Sequence, residues 1–336
     1  MQKRPLLRTI ALATLAMALG VPALAQQWKP THPITIIVPW AAGGSTDQVT
    51  RVTAAEIEKT LGQKVVIVNQ PGASGSIGSK SAADAPKDGY TWAAGAAQDL
   101  GSYETLGMLK TKIADWHLFL NVANVQVIGV NAAAPYKSAK ELLDAMKAKP
   151  GQVSVATAGV TSAGHNAMEL ISKNTGVKYR HVTYDGGNPA VVATVSGEAD
   201  LTTQLAVEQA DMIRGKRLRP LATVSDKPLE LEGYGVIPSL AQTVPGFNAP
   251  ANYFGIFIPK GVPDDVVKTV ERIWAEQIVK SEALRKYATS RGALFNPLAG
   301  DNAQKAVFPA VQANAWNLHD SGKTKVSPDT VGIPKP

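Results

Sequence analysis

The chain has 336 residues, 45% hydrophobic and 18% charged, with a formal net charge of +7 and no cysteine. That length exceeds one average domain and favours two, each able to bury a core of its own. The missing cysteine excludes disulfides, thiolate nucleophiles, cysteine-ligated metals and a lipid anchor on an N-terminal cysteine, and the lack of basic runs interleaved with aromatics argues against a nucleic-acid partner.

The opening stretch MQKRPLLRTIALATLAMALGVPALA carries Lys3, Arg4 and Arg8, then an apolar run from Ile10 to Leu19, then Ala23-Leu24-Ala25. This is the pattern of a cleaved secretory leader, and the run is shorter than the roughly 20 residues a membrane span needs. Residues 1–25 are therefore read as a signal peptide, whose removal takes three positive charges and lowers the formal charge from +7 to +4. The mature chain is expected in the bacterial periplasm, stabilised by core packing alone.

From Pro33 the predicted elements alternate. PITIIVPW is an apolar strand, and STDQVTRVTAAEIEKTLG a helix with apolar positions at Val49, Val52, Ala55 and Ile57 and a glycine stop at Gly62. KVVIVNQ is a second strand, followed by the glycine-rich PGASGSIGS, a short helix to Ala85, and a third strand, GYTWAAG. A second block repeats the pattern: VQVIGVN, the helix SAKELLDAMKAKPG, QVSVATAG, the helix TSAGHNAMELISKNTG closed by Gly176, then YRHVTY and the loop and helix DGGNPAVVATVSGE. ADLTTQ and LRPLATVS read as later strands. After the proline- and glycine-rich passage Pro238–Pro250 come the strand YFGIFIPKG and VPDDVVKTVERIWAEQIVKSEALRKYATSRG, one long or two consecutive amphipathic helices. The tail DSGKTKVSPDTVGIPKP lacks periodicity and is expected to meander over the surface.

Apolar strands without polar alternation are buried on both faces, which implies an α/β fold with mostly parallel sheets flanked by helices. The late strand and helices can return to the first block. The expected domains are therefore residues 26–125 with 250–336, and residues 126–249, with a cleft between them.

Ligands of open α/β sheets bind beyond the carboxyl ends of the strands. There this chain places Gly43, Gly44, Ser45, Thr46 and Asp47; Gly72, Ala73, Ser74, Gly75 and Ser76; Gly95, Ala96, Ala97, Gln98 and Asp99; Thr157, Ala158, Gly159, Thr161, Ser162 and His165; and Tyr184, Asp185, Gly186, Gly187 and Asn188. None of these loops carries a lysine or arginine. Small residues let backbone N–H groups approach a ligand, and the first N–H groups of a helix are unpaired and lie at its positive end. Several such loops around one cleft can hold a carboxylate without a cationic side chain. Each also has a plainer reading. Ser45 with Gln48 fits a capping box, Gly72–Gly78 a flexible loop, and His165 a helix-surface residue as readily as a ligand contact.

Enzymatic motifs fail residue by residue. GASGS at Gly72 lacks the final glycine of a nucleophile elbow, and Gly322-Lys323-Thr324 has Asn317 where a P-loop needs its leading glycine. The five histidines show no metal-ligand spacing, and Asp264-Asp265 is explained by the dipole of the helix it opens. An exported serine hydrolase using Ser74 or Ser45 with His165 is the alternative enzyme reading; a receptor that signals to a sensor kinase is the alternative binding reading.

The stretch ITIIVPWAAGGSTDQVTRVTAAEIEKTLGQKVVIVNQPGASGSIGSKSAADAPKDGYTW resembles the opening of the Bug proteins, the solute receptors of tripartite tricarboxylate transporters, also called the TctC family. The resemblance continues through ATAGVTSAGH, VTYDGGNPAVVATVSGEADL, IRGKRLRPLATVSDK and FGIFIPKGVPDDVVKTV, and so covers nearly the whole mature chain. It implies a type II periplasmic binding protein, with two α/β domains, two crossovers near Val125 and Ala249, and closure over a ligand. It also implies no cofactor, no metal and no catalysis, a monomer that captures a small-molecule carboxylate, and membrane permease subunits as partners. Family members hold the carboxylate on the loops matching Ala42–Asp47 and Gly72–Ser76, while those matching Gly159–His165 and Tyr184–Gly187 define the far end. The expected contacts are thus Trp40, Ala42, Gly43, Gly44, Ser45, Thr46, Asp47, Gly72, Ala73, Ser74, Gly75, Ala97, Gln98, Gly159, Thr161, Ser162, His165, Tyr184, Asp185 and Gly186. Many members have lysine where this chain has Asp185, and a Ser/Thr-rich segment with histidine where it has Ala96, Ala97, Gln98 and Asp99. Both departures disfavour a second anionic group, so the expected ligand has one carboxylate near Gly44 and Thr46 and a polar, amine-bearing or neutral distal part. Asp47 is expected to shape its loop rather than touch a carboxylate.

Overall fold

The computed structural model describes residues 28–336, so the expected signal peptide lies outside the described residues. The first block runs β1 (Ile34–Val38), α1 (Ser45–Leu61), β2 (Val65–Asn69), α2 (Ser76–Asp84), β3 (Thr91–Ala96), α3 (Ala97–Ser102) and β4 (Trp116–Asn124). The second runs β5 (Val127–Asn131), α4 (Ala139–Ala148), β6 (Ser154–Thr157), α5 (Ala163–Thr175), β7 (Arg180–Thr183), α6 (Gly187–Ser196), β8 (Leu201–Thr202), α7 (Ala206–Arg214), β9 (Leu218–Thr223), β10 (Leu229–Leu231) and β11 (Gly235–Ile237). The chain then adds β12 (Asn252–Pro259), α8 (Asp264–Glu276), α9 (Glu282–Arg291), β13 (Ala293–Ala299) and α10 (Gly300–Asp320).

Two sheets result, one ordered β13-β4-β12-β3-β1-β2 and the other β7-β6-β8-β5-β9, with β10 and β11 as a separate ribbon. Both are mixed. β1 pairs parallel with β2 and β3, whereas β12 inserts antiparallel between β3 and β4. In the other sheet β6 is parallel to β7 and β8, and β5 is antiparallel to β8 and β9. The antiparallel members flank the two places where the chain crosses between sheets, because a strand that returns from the other lobe enters from the opposite end.

Strand alternation splits the first core in two. Ile34, Ile36 and Val38 pack with Ile57 of α1 and Trp274 of α8, while Ile37 faces Leu100, Val307 and Val311 on the α3 and α10 side. Both faces of the sheet are therefore covered, which is why β1 has no polar alternation. The second sheet is likewise sandwiched: Ile128, Val130 and Val155 meet α4 and α5, and Val127 meets Ala210 and Ile213 of α7.

Several elements depart from the sequence expectation. β4, α3, α7, β13 and α10 were not anticipated; α10 continues through Pro309, which interrupts its apolar period. The amphipathic stretch 264–291 forms two helices, and Ser281 caps the second by accepting from Leu284 N at 3.2 Å. The tail is tied down rather than meandering: Lys325 and Val326 both donate to Thr105 O, and Trp316 Nε1 donates to Ile333 O at 3.0 Å.

Trp274 is 1% exposed, packs on Phe119 with ring centroids 5.2 Å apart, and donates from Nε1 to Leu120 O at 2.6 Å. It therefore fastens α8 to β4. Trp274→Ala should lower the unfolding free energy by about 3–5 kcal/mol in denaturant melts; a loss below about 1 kcal/mol would contradict this role.

Candidate functional site

Residues that follow the carboxyl ends of strands in both sheets line a narrow cleft. The first lobe contributes Trp40, Gly44, Ser45 and Thr46 after β1 and Asp99 from the first turn of α3. The second contributes Ala158 after β6, Ser162 and Ala163 at the start of α5, Gly187 at the start of α6, and Gln204, Leu205 and Glu208 at the start of α7. Four helices, α1, α5, α6 and α7, thus aim their first turns at one space. Their leading N–H groups have no intrahelical partner, and their dipoles are positive there.

One of those helix ends is filled by the chain itself. Ser45 N, in α1, donates to Glu208 Oε1 at 3.1 Å, and Leu205 N donates to Glu208 Oε2 at 3.2 Å. Gln204 completes the set when its amide is oriented to satisfy both ends, donating to Glu208 Oε2 at 3.2 Å and accepting from Ala158 N at 2.6 Å. Burial raises the pKa of Glu208, against the bonds from Ser45 and Leu205 that lower it. Gly187 makes room: a Cβ there would fall 2.0 Å from Glu208 Oε1. The capping box expected of Ser45 and Gln48 is absent. The N-cap is Gly44 with no side-chain bond, and Gln48 Nε2 turns back to Gly43 O at 2.7 Å. A carboxylate from the opposite lobe takes the place of a local cap.

Asp47 shapes the loop. It accepts from Gly43 N at 3.0 Å and takes Arg51 in a bidentate pair at 3.0 and 2.8 Å. Burial alone would raise its pKa, but the bonds from Arg51 and Gly43 hold it below the usual carboxylate range. Asp99 is the opposite case. It is 4% exposed, and Oδ1 has no partner. Burial pushes its pKa well above the usual carboxylate range.

Of the residues expected from the sequence, Trp40, Gly44, Ser45, Thr46 and Ser162 line the cleft. Others form the seam between the lobes. Ser74 Oγ accepts from Val160 N at 3.1 Å and Ser74 O from Thr161 Oγ1 at 2.7 Å. Gly159, at φ +120°, lies where a Cβ would meet Ser74 Oγ at 2.5 Å, and Gly72, Ala73 and Gly75 shape the facing turn. Next to Ala42 and Gly43, Ala41 N donates to Asp185 O at 2.9 Å, beside Gly186. Tyr184 donates to Glu198 in its own lobe at 2.7 Å, and Ala97 lies in the core. Gln98 lines a second cavity.

His165 fits neither the surface nor the ligand reading. It is 1% exposed, its Nδ1 lies 2.8 Å from Val160 O, and its ring stacks on His181 at 4.2 Å. Its Nε2 is 3.7 Å from Glu169, which pairs with Lys323 at 2.5 Å. Burial, then the Lys323 charge, lowers its pKa to about 4. Ser74 accepts from a backbone amide, so the proposed serine–histidine pair does not form.

Sequence reasoning left Ala163, Gln204, Leu205 and Glu208 out of the site, and it placed Asp99, Ala158 and Gly187 in the loops at the cleft without counting them among the expected contacts. The signal for Glu208 was its place three residues after Leu205 at the end of a strand, a helix-start spacing in a helix not recognised.

Two outcomes follow from this geometry. Gly187→Ala should lose about 1–3 kcal/mol of stability through the clash with Glu208 despite the better helix propensity of alanine. Gly44→Ala, with its nearest neighbours at 3.5 and 3.7 Å, should change stability by less than about 0.5 kcal/mol. Equal effects in thermal melts would contradict the arrangement. Separately, burial raises the pKa of Asp99 on folding, so its contribution to stability is full below the ordinary carboxylate range and is lost as pH rises through the folded value. Asp99→Asn removes that loss, so the melting temperature of the variant should gain on the parent between pH 4 and pH 8. A constant difference across that range would contradict the assignment.

Comparison with known proteins agrees with the fold. A profile of the tripartite tricarboxylate transporter family receptor matches residues 49–318. A protein from the tcbD-tcbE intergenic region of Pseudomonas sp. (strain P51) is 33% identical over 254 residues, 74% of this chain and 73% of the relative. Protein BugT of Bordetella pertussis (strain Tohama I) is 28% identical over 93% of this chain and 95% of its own length. Among solved structures, R. palustris Rpa4515 with adipate superposes with a TM-score of 0.76 at 26% identity, over 88% of this chain and 97% of that one. The chain therefore belongs to the tripartite tricarboxylate transporter receptor family, solute-binding proteins with the two-domain fold of periplasmic binding proteins.

Proposed function

We propose that this receptor captures a small carboxylate-bearing solute in the cleft and delivers it, in the periplasm, to the permease subunits of a tripartite tricarboxylate transporter. The observation that carries this reading is the convergence of four helix N-termini on a cleft lined by no lysine, arginine or histidine. Glu208 occupies the Ser45 end, which leaves the first turns of α5 and α6 and the Thr46 end of α1 for the solute acid. Thr46, 2% exposed, adds a hydroxyl. The adipate found with the R. palustris relative is likewise a small carboxylate.

The lobes are residues 26–125 with 250–336, and 126–249; they close by rotation about the crossings near Val125 and Ala249. The receptor works as an exported monomer, needs no cofactor, and its task is capture rather than turnover: the serines of the hydrolase alternative have no histidine base within hydrogen-bond reach.

A thermal-shift screen of mono- and dicarboxylates, aromatic acids and amino acids tests this. A solute that binds only the folded receptor, present at about 100 times its Kd, stabilises it by about 2.7 kcal/mol. Gly44→Leu, which fills the approach to the α1 end, should abolish that shift while the variant melts cooperatively. No shift with any carboxylate would overturn the reading.

A further inference from the structure

We propose that the captured solute carries an ammonium group as well as its carboxylate, and that the ammonium seats on Asp99. This rests on the receptor reading above and narrows its solute class to amino-carboxylates. Asp99 lines the same cleft as Gly44, Thr46 and Ser162 and brings a carboxyl group to it. It is 96% buried by its 4% exposure, and Oδ1 meets no partner. A buried carboxyl oxygen without a donor is unfavourable until a donor arrives, and a cationic donor pairs with it most strongly.

The surroundings separate an ammonium from a second acid. Glu208 is the other carboxyl group on the cleft, and no cationic side chain lines it. The adjoining cavity is reached along α3 from Asp99 to Gln98 and along α5 from Ala163 to Ala167. It is lined by the carboxamides of Gln98, Gln126, Asn166, Asn314 and Asn317, again with no charged residue. Asn166 has a fixed sense: Nδ2 donates to Thr161 O at 2.9 Å, which leaves Oδ1 as an acceptor without a partner. Asn317 Oδ1 is a second unpartnered acceptor there and Gln98 Nε2 an unpartnered donor, so the cavity suits a polar uncharged group; a second carboxylate in the cleft itself would meet Asp99 Oδ1 and Glu208 with no cationic side chain to offset them. An ammonium brings the donors these acceptors lack, and an uncharged remainder of the solute fits the amide-lined cavity.

Titration calorimetry on the exported receptor with matched pairs decides the matter: 4-aminobutyrate against butyrate, β-alanine against propionate, glutamate against glutarate, with adipate alongside. The amino member of at least one pair should bind about 30-fold or more tightly than its partner, as expected when a buried charge loses its counterpart. Asp99→Asn should reduce that preference to within about threefold, and a cooperative thermal melt of the variant shows that it is folded. Equal binding within every pair, adipate binding more tightly than every amino member, or a preference that survives Asp99→Asn would overturn the ammonium assignment and leave the receptor reading standing. If no carboxylate of either kind binds, both fall together.

Discussion

Four helix amino termini aimed at one cleft are the constraint on which the rest of the structure depends. Each end is equivalent to about half a positive charge. Because α1 belongs to one lobe and α5, α6 and α7 to the other, bringing the lobes together crowds like charge. Glu208 relieves this from within the chain, with one carboxylate shared between the first amide of α1 and the start of α7. Gly187 is required by that solution, since any side chain there would occupy the position of the carboxylate. A carboxyl group is thus a component of the cleft before any solute is considered, and a solute acid is the natural second one for the helix ends that Glu208 does not reach.

The contacts that hold the lobes in register are separate from those that line the cleft. Ser74 with Val160 and Thr161, and Ala41 with Asp185, are mostly backbone-mediated bonds across the seam. At another part of the seam, Lys323 after α10 reaches Glu169 on α5, beside the stacked rings of His165 and His181. Burial, reinforced by the Lys323 charge, lowers the pKa of both histidines, so Lys323 and Glu169 carry the charge there and the rings serve as packing. Within the cleft itself, Glu208 is the direct bridge between the lobes, through the Ser45 amide.

Much of this was legible in the sequence wherever a local pattern encodes the outcome. The apolar runs became β1, β2, β3, β5 and β6, and the small-residue loops after β1 and β6 supply Gly44, Ser45, Thr46 and Ser162 to the cleft. What escaped depended on non-local pairing. β4 and β13 are recognisable as strands only once β12 has inserted beside β4, and α10 hides its period behind Pro309. Ser45 and Gln48 spell a capping box, yet a carboxylate 163 positions away claims the Ser45 amide instead. No spacing rule reports a partner at that separation, and the same limit hid Glu208.

Backbone N–H groups at a helix start accept any small anion, so the glycine-rich loops confer capture with little discrimination. Discrimination has to come from side chains that differ in charge and bonding sense, and here those stand on α3, α5 and α7: Asp99, Gln98, Asn166, Gln204 and Glu208. They lie one residue or one helical turn beyond the generic loops, deep enough that each unpaired polar atom is felt by whatever enters. Because a site built for a particular hydrogen bond rejects an analogue that cannot make it more strongly than an apolar pocket rejects a misfit, changes at these few positions can redirect the solute while the fold, the helix ends and the seam stay as they are.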